Sequence, residues 1–415
     1  MRSTARSGWW VVVGGSVLLT LQNGLIISAF GAYLVVITDD TGWSPGVIAL
    51  GYAIVQLGNG FLSPLTGWFC DRVGVRAVAR AGTVVTAAGF AVAAAVADAS
   101  HFVGAVVVIA LGCSAAGITP LTVAVVQTMT DRRTLALGLL PTGIALGGLA
   151  VPVVTWALAG AGWRATFVGV AVAILAVGLV ASAALPADRR PRPVGVSAAP
   201  RRPGDHDLGS ALRTAAFWLL VVGHGTALVA VSAVSLHLVP LMTHHGIPLA
   251  TAGLTVAVMS TAQLIGQVVT GLIADRLDKR RLAAACMVVQ TCVLVGFATV
   301  SGFGLLMATA IVHGFAWGLR GPVMTALRAD YFGVGSFGTI MGWSAGFVSI
   351  GLVVGPLLVT AVAGGTGGYP AAFLVLAAVT AAGAIAFVVL RRPRGPVPGL
   401  ARPRCDEAGD GARRS

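Results

Sequence analysis

Arg320 puts a guanidinium inside an apolar stretch that runs from about 303 to 327. Counting from Arg328 at the stretch's end, it lies about 12 Å deep at about 1.5 Å per helical residue. A charge at that depth costs about 3 kcal/mol on insertion scales unless it meets water or a partner. Its planar fork suits a carboxylate gripped by two hydrogen bonds. The same group would serve equally to satisfy helix-end carbonyls or a loop acid such as Asp330. His313 stands two turns away on the same face. A neutral imidazole there binds substrate or carries a proton, or it is hydrogen-bonded between helices. His224 and His237 offer the same two roles.

Uncharged polar groups at apolar depth extend the candidate site. They are Asn23, Gln56, Asn59, Gln263 and Gln267, the last two sharing one helical face. Each serves either as a substrate ligand or as a hydrogen bond between helices. Tyr33 and Trp317 line a path or fill a core. The 14 acids all fall at helix ends, in loops or in tails. A cation carrier, or a drug pump that switches on a buried carboxylate, would hold one in mid-span. The five cysteines have no metal-ligand spacing. The glycine runs at 143–148 and 346–355 lack the Lys-Ser or Lys-Thr of a phosphate loop. No nucleophile has an adjacent base, so the sequence predicts no enzyme, no cofactor and no metal.

What positions these groups is a membrane-embedded all-α fold. With 57% hydrophobic and 10% charged residues, the chain is far from the roughly 25% charged composition of soluble domains. It accommodates about twelve spans of roughly 20 residues. They are expected over 11–36, 45–69, 77–97, 102–126, 135–158, 164–185, 215–241, 251–274, 282–300, 303–327, 337–362 and 370–390. With both termini in the cytoplasm, every Lys and Arg except Arg164 and Arg320 falls in the tails or in inward loops. That is the positive-inside pattern. It also accounts for the net charge of +13 without nucleic acid. The chain therefore divides into a six-helix bundle over 1–185, a cytoplasmic linker over 186–214, a second bundle over 215–391 and a disordered cytoplasmic tail over 392–415. Arginines in that tail either touch anionic lipid headgroups or are simply solvated.

The two bundles repeat. The stretch Gly67 to Arg76, GWFCDRVGVR, returns as Gly271 to Arg280, GLIADRLDKR. The same shift carries Gly138 to Gly342, Gly147 to Gly351 and Pro152 to Pro356. The pattern Gly-x-x-x-Asp-Arg-x-Gly-x-Arg resembles the loop signature of the major facilitator superfamily. Its residues here are Gly67, Asp71, Arg72 and Arg76, echoed by Gly271, Asp275, Arg276 and Arg280. The glycines are expected to let two helices approach closely. Asp71 and Asp275 are expected to accept N–H bonds at a helix N-terminus. The resemblance implies two pseudo-symmetric six-helix bundles that rock about a central site to give alternating access.

Further stretches are similar to the branch of that superfamily containing monocarboxylate transporters and oxalate:formate antiporters. They include GLIISAFGAYL from Gly24, RRTLALG from Arg132, GWR at Gly162, RGP at Arg320, ADYFG from Ala329 and GTIMG from Gly338. One departure is that the eighth and eleventh spans carry no charge, whereas carboxylate carriers of the branch often hold a basic residue there. The resemblance implies a secondary transporter in the plasma (inner) membrane, moving a small organic anion with a proton or against a counter-anion. Arg320, His313, Asn23, Tyr33, Gln263, Gln267, His224 and His237 are its expected substrate contacts. The alternative is an efflux carrier for a drug-like molecule, suggested by the Gly and Pro series in the fifth span and weakened by the missing buried acid. A membrane sensor would need a signalling domain that the linker and tail are too short to form.

Overall fold

Apolar runs closed by capping side chains define the elements. Ser44 accepts the Gly46 N–H ahead of Pro45, Asp98 accepts from His101, Thr214 from Phe217, and Asp278 from Arg280 and Arg281. Each cap satisfies donors that a helix start leaves unpaired. Asp278, outside the membrane spans, has its carboxyl held below the usual carboxylate range, first by the Arg281 N–H and also by that of Arg280. The computed structural model describes residues 2–129, 132–187, 206–273, 276–333, 336–366 and 368–393.

Ten described helical stretches are long and apolar enough to cross a membrane. Pro45–Phe61 with Ser63–Val73, bent by 53°, adds one more span. The stretch Leu135–Ala183 holds 49 residues, which would reach about 74 Å if straight. That is more than twice a hydrocarbon core of about 30 Å. It turns at Gly162, whose φ of 74° is left-handed backbone open to glycine, and so counts as spans five and six. The total among described residues is twelve, as the sequence predicts. Spans seven to twelve are Ala215–His244, Leu249–Ile273, Lys279–Thr299, Phe303–Phe332, Phe337–Thr366 and Tyr369–Val389.

Several spans are broken where the sequence suggests continuity. Span one, Gly8–Thr41, carries a π-helical turn over Asn23–Ile27. Span four divides into Ala99–Ala116 and Ile118–Thr128. The expected linker holds a short helix, Leu208–Leu212, capped by Asp207. The His206 N–H anchors it to the Phe332 carbonyl at 3.0 Å. The rest of the linker, 188–205, and the tail from 394 lie outside the described residues.

The repeat is visible in the packing. A Cβ on Gly147 would come within 2.7 Å of the Gly24 nitrogen, which fixes span five against span one. A Cβ on its counterpart Gly351 would come within 2.4 Å of the Gly225 carbonyl oxygen, which fixes span eleven against span seven. Between the halves, Gly31 abuts the Leu236 carbonyl and Gly253 abuts Thr155.

Core organisation shows which way the molecule is open. One apolar cluster runs through both halves, joining Phe30, Tyr33, Tyr52 and Trp163 to Leu236, Leu241, Met259 and Phe297. Two others stay within single halves, one around Leu121, Val125 and Leu140 and one around Phe217, Met324 and Phe332. The joined cluster lies toward the face away from the chain ends. The separate ones lie toward the face bearing them. The halves are therefore sealed on one side and parted on the terminal side.

Candidate substrate cavity

Where the halves part, a cavity of about 250 Å³ opens at their centre. The π-helical turn of span one supplies its first wall. There the Asn23 amide donates to Ser28 Oγ at 3.0 Å and to the Ile144 carbonyl at 2.6 Å. Adjacent Gln22 donates to Asn59 Oδ1 at 3.0 Å and to the Cys113 carbonyl at 3.2 Å. π-turns commonly mark functional positions in helices, because the extra residue re-aims side chains. Spans two and four add Tyr52, Gln56, Asn59, Ser114 and Thr119. The second half contributes Val231, Ser232, Ser235, Trp317 and Leu352.

Every polar group on this wall is uncharged. Asn59 accepts through Oδ1, while its amide NH2 has no partner among the described residues. Trp317 Nε1, on the opposite half, is likewise unbonded. The cavity therefore presents neutral donors from both halves, beside the amide carbonyls of Gln22, Asn23 and Gln56. Such a set can bind a carboxyl group without any formal countercharge.

Among the side chains expected to meet substrate, Asn23 lies on this wall. Arg320 does not. It is 1% exposed, and Nη1 donates to Gln290 Oε1 of span nine and touches Met287 Sδ at 3.7 Å. Its depth along span ten is as expected, but its azimuth turns it into the second bundle. Asp330, offered as its other partner, pairs with Lys279 at 2.7 Å. His313 is fully enclosed, with neither ring nitrogen bonded. His237 Nε2 meets the Pro356 carbonyl at 3.1 Å and Thr360 Oγ1 at 3.3 Å. His224 Nδ1 accepts from Arg328 at 3.0 Å. The Tyr33 hydroxyl donates to the Leu25 carbonyl at 2.6 Å within the sealed core. Gln263 and Gln267 share a face as expected, and the backbone they stand on is the contact that Gly318 makes with span eight.

The cavity also uses residues that sequence reasoning missed: Gln22, Tyr52, Ser114, Thr119, Ser232 and Ser235. Gln22 was signalled by its place beside Asn23 in an apolar run. Val231, Ser232 and Ser235 sit at one-face helical spacing, which is a weak signal because hydroxyls also bond their own helix, as Ser232 does to the Leu228 carbonyl at 2.8 Å.

The profile of the Major Facilitator Superfamily matches residues 16–243 and 220–409. The chain belongs to the major facilitator superfamily. This superfamily member is 25% identical over 396 residues to monocarboxylate transporter 13 of Rattus norvegicus, covering 92% of this chain and 89% of the relative. It is 27% identical over 410 residues to monocarboxylate transporter 11 of Homo sapiens, covering 93% and 83%. An MFS-type transporter of Aspergillus fumigatus is 22% identical over 364 residues, or 83% of each chain. The protein is a membrane transporter of this superfamily, not an enzyme.

The superfamily loop signature has a definite structural role here, though not the expected one at every residue. A Cβ on Gly67 or Gly271 would meet nothing within 4 Å, so neither makes a close approach. The reason is that both lie toward the terminal side, where the halves are apart. Asp71 is exposed and caps no helix, and Asp275 lies outside the described residues. Arg72 stacks on Trp68, 3.9 Å from the ring centre, and Arg276 is exposed. The last arginine of each copy holds the end of its own bundle. Arg76 donates to the Leu185 carbonyl at 2.6 Å, and Arg280 donates to the Leu390 carbonyl at 2.8 Å.

Proposed function

We propose that this carrier moves a small monocarboxylate by alternating access, together with a proton or in exchange for another anion. The observation that carries the reading is a cavity wall with neutral hydrogen-bonding residues from both halves, among them Asn59 and Trp317, and no acid. Neutral donors suit a carboxyl group that crosses as a net-neutral cargo, and they leave a cation uncompensated. The volume of about 250 Å³ falls below the roughly 300–1,000 Å³ of sites for drug-sized ligands, which favours a small acid over the efflux reading. The names of the mammalian relatives point the same way. The Lys and Arg distribution favours a cytoplasmic terminal face in the plasma membrane, which makes this conformation inward-open.

The test is counterflow of labelled lactate, pyruvate, formate and oxalate in vesicles containing the purified protein. Saturable exchange of at least one monocarboxylate is expected. Trp317→Phe keeps the ring and removes the N–H, and is expected to raise the half-saturating concentration by up to roughly tenfold, the worth of one hydrogen bond. Absence of exchange for all four acids would remove the substrate class.

A further inference from the structure

One contact between the halves is made by residues that also line the cavity. Tyr52 of span two and Ser235 of span seven both stand on its wall, and their hydroxyls meet across the two halves. Gln56, one turn further along span two, donates Nε2–H to the Tyr52 oxygen at 3.5 Å. Because that oxygen is already accepting, the Tyr52 O–H is the proton left to donate to Ser235 Oγ.

The bond lies at the level of the seal. Ser235 immediately precedes Leu236, whose carbonyl oxygen is the atom that Gly31 abuts. The Tyr52 ring stands edge-on to Phe30, with centroids 5.5 Å apart, and Phe30 immediately precedes Gly31. Tyr52 is 1% exposed and Ser235 9%, so little water competes for either hydroxyl. Toward the terminal opening the same two spans add Gln56 and Asn59 on one side of the cavity, and Val231 and Ser232 on the other. A molecule that enters from the terminal side therefore meets the Tyr52–Ser235 pair at the closed end of the cavity.

We propose that the Tyr52 hydroxyl is a substrate-operated catch on the sealed side: a carboxylate bound in the cavity draws the Tyr52 O–H away from Ser235, and the halves lose a hydrogen bond that joins them. A carboxylate oxygen is a stronger acceptor than a serine hydroxyl, so the exchange runs toward the ligand. The proton stays on the Tyr52 oxygen throughout, and only its acceptor changes. Tyr52 keeps its contact with Gln56. Ser235 can turn to a carbonyl of its own helix, as Ser232 does to that of Leu228, so neither hydroxyl is stranded. The empty carrier keeps the bond and the seal, whereas the loaded one has exchanged the bond for a ligand contact and is freer to open. That difference in contacts between the two states is what a ligand needs in order to shift their equilibrium.

The ligand's part in this assignment rests on the carrier reading above, while the bond itself is testable without ligand. Spin labels go on Asp39→Cys near the end of span one and His245→Cys just past the end of span seven, both exposed on the sealed side, in a background with the five native cysteines replaced. Distance distributions are recorded in vesicles without ligand and with saturating lactate or pyruvate. Without ligand, Ser235→Ala and Tyr52→Phe are each expected to raise the long-distance population roughly fivefold over the parent, the worth of one hydrogen bond. With lactate or pyruvate, the parent and Ser235→Ala, which keeps the Tyr52 donor, are expected to shift further toward the long distance. Tyr52→Phe, which has no O–H to give, is expected not to respond. A ligand-driven shift in Tyr52→Phe equal to that of the parent overturns the inference, and so do ligand-free distributions identical in all three proteins. Failed counterflow of every monocarboxylate, with the ligand-free population raised in both variants, would remove the substrate class and leave the catch standing.

Discussion

At Arg320 the bilayer interior offers a cation no acid, and its bond to the Gln290 amide oxygen is its principal polar contact. Nε of the guanidinium and Nε2 of the amide are unbonded among the described residues, so the pair has little in reserve. Gln290→Leu is expected to cost about 1.5–3 kcal/mol, because it strands a buried charge, and to lower the thermal unfolding midpoint of the purified protein. The double change Arg320→Met with Gln290→Leu is expected to recover part of that loss, since apolar packing often matches a buried polar pair. A Gln290→Leu protein as stable as the parent would refute this account. How deep Arg320 sits was readable from its spacing to Arg328. Which way it points was not, because azimuth is decided by neighbours such as Gln290 that lie one span away in sequence. For the same reason Asn23 was recognisable as an amide at apolar depth, while the hydroxyls of Ser232 and Ser235 were indistinguishable from self-bonded helix residues.

At the level of elements, the seal between the halves depends on places where one span presses on the backbone of another. A Cβ on Gly31 would stand 2.4 Å from the Leu236 carbonyl oxygen, and backbone cannot turn aside as a flexible side chain would. Gly31→Val is expected to leave each bundle folded and to destabilise the sealed side by about 1–3 kcal/mol, the usual cost of overpacking. The population open on that side should rise roughly 5- to 150-fold. Thiol labelling of a cysteine placed at Tyr369, on that side, would read the change, and an unaltered labelling rate would show that the contact does not govern closure. Span number and approximate limits were legible because a bilayer demands long apolar runs. The breaks were not all legible: the π-turn at Asn23 leaves no local proline or charge pattern that singles it out, whereas the 53° bend of span two falls just before Pro64, a helix-breaking signal that was present in the sequence.

Across the whole molecule, duplication is the feature most plainly written in the chain, and it recurs as mechanics. Arg76 and Arg280 each hold the final carbonyl of their own bundle. Arg76→Ala and Arg280→Ala are therefore expected to be destabilising by about 1 kcal/mol each, and to add within about 0.5 kcal/mol in the double variant, because they lie in separate halves. The side on which the halves part could not be read from sequence. Both states of an alternating carrier are built from the same residues and differ by only a few kcal/mol. That equivalence gives the signature glycines their meaning. Gly67 and Gly271 touch nothing while the terminal side is open, so a side chain at either is free in this state and obstructs only the one in which that side closes. Gly67→Leu is thus expected to match the parent in thermal unfolding and to lose exchange between vesicle interior and exterior, because the open form is retained and its counterpart is excluded. A Gly67→Leu carrier that exchanges at the parental rate would place the closing contact elsewhere along span two, and a large fall in its stability would mean that Gly67 is already packed in the open form.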